Sequence, residues 1–108
     1  MKILLDENLD VRFKLQFPQA HEVYTVRDMK WNGIKNGDLL RLLAEHHFDC
    51  WVVADKNIPY QQNIATLPCL VIVLDVFRNT LSHITALLPQ LLVTLESDIQ
   101  PGIIVIKR

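Results

Sequence analysis

Met1-Lys2-Ile3-Leu4-Leu5-Asp6-Glu7-Asn8 is the stretch from which the rest of the chain can be read. Ile3, Leu4 and Leu5 form an unbroken apolar run, the pattern of a strand buried on both faces. The run stops at two carboxylates and an amide. In open α/β sheets, ligands bind beyond the carboxyl ends of the strands. An acidic cluster at such an end points to a divalent-cation site, because Mg²⁺ and Mn²⁺ take hard oxygen ligands. The competing reading is that Asp6 or Asn8 caps the helix that follows, since both residue types are good N-caps.

The remaining elements follow in order. Leu9 to Phe17 reads as a short amphipathic helix stopped by Pro18. His21 to Val26 is rich in β-formers and reads as a second strand. A loop with Asn32-Gly33 and Asn36-Gly37 leads into a helix over Asp38 to His47. Asp49 to Ala54 reads as a third strand, running into Asp55-Lys56-Asn57. Tyr60 to Ala65 suits a short helix or turn. Cys69 to Leu74 is a fourth buried strand, again ending in an acid, Asp75. Thr80 to Leu95 reads as the longest helix, kinked at Pro89, and Ile103 to Ile106 as a last strand. Strands alternating with helices predict right-handed crossovers and a mainly parallel sheet with helices on both faces.

That architecture gathers the acids. Asp6 and Asp55 follow different strands and fall on the same rim. Asp38 joins them, because a helix that follows a strand starts at that strand's carboxyl end. Carboxylates brought together repel one another unless a cation neutralises them. Asp6, Asp38 and Asp55 are therefore the expected ligands of Mg²⁺ or Mn²⁺. A cation there could activate water against a phosphodiester, the chemistry of hydrolytic nucleases. Strand side chains alternate between faces, so Glu7 does not share a face with Asp6 if the strand continues that far. Asn8, Lys56 and Asn57 are candidate phosphate contacts.

The bulk numbers narrow the class. A length of 108 residues, half of them hydrophobic, fits one domain over residues 1–108 with a core of its own. The formal net charge of −1 gives no whole-molecule attraction to nucleic acid, so any such binding is local. The two cysteines, Cys50 and Cys69, lie in apolar strand-like runs and read as buried reduced thiols. The N-terminus turns acidic before an apolar leader develops, and no apolar stretch reaches the roughly 18 residues of a membrane helix. The expectation is a cytoplasmic protein without membrane association.

The segments KILLDENL, NGIKNGDLLRLLAEHHFD and WVVADKNIPYQQN together resemble the short bacterial PIN-like family, relatives of VapC-type ribonuclease toxins. The resemblance spans roughly Met1 to Asn79. It implies a PIN-like three-layer α/β/α sandwich and Mg²⁺- or Mn²⁺-dependent cleavage of single-stranded RNA. It also implies a toxin role beside a cognate antitoxin. The chain has no counterpart to the additional helix-opening Asp of a standard VapC-type toxin, and Asp75 is the available substitute.

Other residues have a binding and a packing reading side by side. Trp31 and Lys35 share a loop with Arg27 and Lys30. They could stack a base and hold a backbone, at about 1–3 kcal/mol per stacked base, or Trp31 could pack the loop down. Arg78, beyond the fourth strand, could reach a phosphate. Leu-rich faces over Leu39–Leu43 and Leu87–Leu95 suggest surface for a homodimer or antitoxin. Two other functions compete: a catalytically silent PIN-like binding protein, and a receiver-like phospho-acceptor. The receiver scheme would use Asp6-Glu7, Asp55, Thr80 and Lys107 and leaves Asp38 without a role.

Overall fold

A computed structural model describes residues 1–54 and 66–107. Its five strands are β1 (Lys2–Leu5), β2 (Glu22–Thr25), β3 (Cys50–Val53), β4 (Leu70–Asp75) and β5 (Gly102–Lys107). They form one sheet in the order β2-β1-β3-β4-β5, and every neighbouring pair is parallel. Leu5 stands beside Thr25 on one side and Val52 on the other, so β1 is an interior strand with its end level with two others.

Alternation along the strands divides the core in two. Ile3, Leu5, Cys50, Val52, Ile72 and Leu74 face one cluster, completed by Leu9, Phe13, Ile84, Leu87, Leu91 and Leu95. Leu4, Trp51, Val53, Val71 and Val73 face the other, completed by Val26, Trp31, Leu39, Leu43 and Phe48. The first cluster lies under a 3-10 helix (Val11–Gln16), α2 (Leu81–Thr85) and α3 (Leu88–Glu96), the second under α1 (Asn36–Glu45). Cys50 and Cys69 belong to opposite clusters and are free thiols. Burial pushes both above the ordinary thiol range, Cys69 to about 12, which makes them unreactive.

Three helices differ from the sequence reading. The segment after β1 is a 3-10 helix of six residues, not an α-helix from Leu9. Asp10 caps it, and Phe17, forced extended by Pro18, ends it, leaving a length at which 3-10 geometry is common. α1 begins at Asn36 after an extended Lys35, so Asp38 lies inside the first turn instead of opening the helix. The long helix expected over Thr80 to Leu95 is two helices. Pro89 has no N–H for the carbonyl four residues back, so it sits in the first turn of α3 rather than at a kink.

The expected leucine surfaces are also corrected. Leu39, Leu43, Leu87, Leu91 and Leu95 are all buried within the chain. A parallel sheet must be covered on both faces, and these stripes cover it. These five leucines are therefore not themselves a surface for a second chain. Among the described residues no helix is long and apolar enough to cross a membrane. The short helix or turn expected over Tyr60 to Ala65 lies outside the described residues.

Candidate functional site

The order β2-β1-β3 means that the chain leaves β1 to one side for β2 and returns on the other for β3. Such a reversal opens a crevice at the carboxyl ends of the strands. Asp6-Glu7-Asn8 occupies that crevice edge, and each of the three residues ties a different segment to it. The Asp6 N–H donates to the Val52 carbonyl at 2.9 Å, extending the pairing with β3 past the end of β1. A Glu7 carboxylate oxygen accepts from the Gly33 N–H at 3.2 Å. The Asn8 carbonyl accepts from the Asn79 side-chain amide at 2.8 Å. The triplet thus joins β3, the loop before α1 and the loop before α2. Gly33 has φ +79°, a left-handed conformation that suits the glycine of Asn32-Gly33.

The capping role considered for Asp6 and Asn8 belongs to Asp10. Its carboxylate accepts from the Arg12 N–H at 2.9 Å and from the Arg12 guanidinium at 2.6 Å. The Arg12 side chain, then its backbone N–H, holds the Asp10 carboxyl down at about 2. Asp6 itself is half-buried and its carbonyl accepts the Leu9 N–H at 3.0 Å.

The neighbouring end of β2 is similarly fixed. Asp28 accepts from the Thr25 N–H at 2.9 Å and from the Lys14 ammonium at 2.8 Å, while its own N–H donates to the Thr25 hydroxyl at 3.0 Å. The Lys14 contact, then the Thr25 N–H, lowers the Asp28 pKa. Asp28 was not singled out in the sequence. The Thr-x-x-Asp spacing just after a strand is the signal that points to it.

The other candidates lie on separate segments around the sheet. Asp38 is exposed in the first turn of α1 and pairs with Arg41 at 2.9 Å. Lys35 is exposed beside it. Trp31 is 9 % exposed, with its ring centroid 5.1 Å from His46 and 5.9 Å from Phe48. Its ring is packed against the domain rather than presented to a base. Arg78 is exposed, with its guanidinium over the ring of Phe77. Asp55, Lys56 and Asn57 lie outside the described residues.

The donor chemistry of Asp6 and Asp38 suits Mg²⁺ or Mn²⁺, which take carboxylate oxygens. Among the described residues, no three of His, Cys, Asp and Glu group closely enough to hold a metal ion. Asp55, the third expected ligand, is not among those residues. No protein family, curated protein or solved structure matches the chain in comparisons with known proteins.

Proposed function

We propose that the chain is a PIN-like metal-dependent endoribonuclease that hydrolyses single-stranded RNA at the acidic end of β1. In this reading the two-faced sheet is a PIN-like three-layer sandwich. The chain acts as a toxin beside a cognate antitoxin, as the sequence resemblance implies. The observation that carries the reading is the position of Asp6-Glu7-Asn8. It lies where the strand order reverses, with Asp6 bonded to Val52 of β3, three residues before Asp55 in the sequence. Structural ties alone would not require carboxylates at such a crevice, since neutral side chains serve them as well.

Asp6, Asp38 and Asp55 would hold Mg²⁺ or Mn²⁺. Bound there, a divalent cation supplies Lewis acidity toward a phosphodiester. Asp38 can reorient to join it, because its exposed pair with Arg41 is weak. Lys35, Lys56, Asn57, Arg78 and Asn8 are the groups available to position the RNA backbone.

One observation favours a second reading. The order 2-1-3-4-5 is shared with receiver modules, and Lys107 ends β5 in register with Asp75. Asp38 plays no part in that scheme. Titrating Mn²⁺ into the protein with a pool of single-stranded RNAs separates the readings. Mn²⁺-dependent cleavage supports the nuclease. Stable labelling of Asp55 by acetyl phosphate, without cleavage, supports the receiver. RNA retention without either supports a silent binding protein.

A further inference from the structure

Between α2 and the carboxyl ends of β4 and β5 lies an open groove of about 680 Å³. That is the size of a site for a nucleotide-sized ligand. Asp75, Phe77, Ser82, His83, Ala86 and Lys107 contribute to its walls. Phe77 is 87 % exposed, the highest value among the large hydrophobic residues described. The Arg78 guanidinium lies 5.8 Å from its ring centroid. A cation covers one face of a ring and leaves the other. Lys107 is exposed at the end of β5, in register with Asp75 at the end of β4. The next residue after Arg78, Asn79, is bonded to the Asn8 carbonyl, so groove and acidic triplet lie along one continuous edge.

We propose that this groove holds one nucleotide of a single-stranded RNA, with its base stacked on Phe77 and its phosphate met by Lys107 and Arg78. An aromatic platform beside cations is the chemistry of sequence-tolerant strand binding, since every base has a π-face. Asp75 lines the same groove. With only Lys107 and Arg78 at the phosphate, the salt dependence is shallow. The inference rests on the ribonuclease reading only for its use: the groove would anchor a strand whose cleavage occurs at Asp6.

The test measures binding in chelator, where metal-dependent cleavage is absent. Fluorescence anisotropy with a fluorescein-labelled oligoadenylate RNA of about ten nucleotides reads affinity. Phe77→Ala should weaken binding about 5- to 150-fold, the loss of one stacked base, and Phe77→Tyr should restore it. Both variants should melt like the wild type, because the ring is exposed. Lys107→Ala should reduce the slope of log K against log salt by about 0.7, the value for one phosphate contact on a single strand. Unchanged affinity in Phe77→Ala would overturn the proposal. So would AMP binding as tightly as the oligonucleotide, which would make the groove a free-nucleotide site. Phe77-dependent binding without Mn²⁺-dependent cleavage would leave the groove standing and remove the ribonuclease reading.

Discussion

The backbone N–H of Asp6 donates to the carbonyl of Val52 at 2.9 Å. The bond carries the β1–β3 pairing one residue past the end of β1, so the first acid of the chain is held level with the end of β3. On the other side, the Val26 N–H donates to the Leu5 carbonyl at 3.2 Å. Asp6 therefore stands on a backbone fixed from both neighbours. A main chain fixed in this way lowers the ordering cost of binding a ligand there.

The rim opposite this edge contains a strained residue. α1 ends with the His47 N–H on the Ala44 carbonyl at 3.2 Å and the Phe48 N–H on the Leu43 carbonyl at 3.0 Å. This is a Schellman pattern, and it places His47 at φ +59°. The left-handed conformation costs a residue with a side chain about 1–2 kcal/mol, and glycine gives back about 0.5–1 kcal/mol in chain entropy. His47→Gly should therefore stabilise the protein by about 0.5–1 kcal/mol, read by urea unfolding. A loss of stability would mean that the imidazole makes contacts worth more than the strain.

Asp28 should make stability depend on pH. Its folded pKa is lowered from 3.8, chiefly by the Lys14 ammonium and then by the Thr25 N–H. A depressed carboxyl pKa contributes stability that is fully present above the unfolded value. That contribution is lost as the pH falls through the folded value. The difference in melting temperature between wild type and Asp28→Asn should thus be constant near neutral pH and shrink below about pH 4. A difference that grows on acidification would show that other groups set the acid limb.

The loop before α1 should separate into a packing residue and a surface residue. Trp31 is buried against Phe48 and His46, so Trp31→Ala should cost about 3–5 kcal/mol of stability. Lys35 is exposed, and Lys35→Ala should change stability by no more than about 0.5 kcal/mol while weakening any RNA binding at low salt. Reduced RNA affinity in Trp31→Ala with an unchanged melting temperature would instead identify the ring as a stacking platform.

Strand positions were legible because both faces of a parallel sheet are buried, which turns strands into apolar runs such as Cys50–Val53 and Leu70–Asp75. Helix ends were less so. Whether Thr80 to Leu95 is one helix or two turns on the single N–H missing at Pro89, and apolar spacing does not register it. The leucine stripes were visible, but whether they cover the sheet or face a partner is settled only by tertiary packing. At the site, Asp6 was legible from the abrupt end of an apolar run. Phe77 was hidden because an aromatic after a strand-like run reads as more strand; its exposure depends on where β4 stops. Asp10 was masked by the two better-placed capping candidates before it.

The most direct measurement is the melting temperature of the wild type and of Asp6→Asn, Asp38→Asn and Asp55→Asn, each in chelator and in Mn²⁺. If the three acids hold one cation, Mn²⁺ should stabilise the wild type by about 2.7 kcal/mol at a hundred times its Kd. Each variant should lose that gain. In chelator the variants should melt at or above the wild type, because each removes a like charge from the cluster. Loss of the Asp38–Arg41 pair subtracts only about 0–1 kcal/mol from that expectation. A wild type that gains nothing from Mn²⁺, with three variants indistinguishable from it, would contradict the account and leave the acidic end of β1 as a structural junction alone.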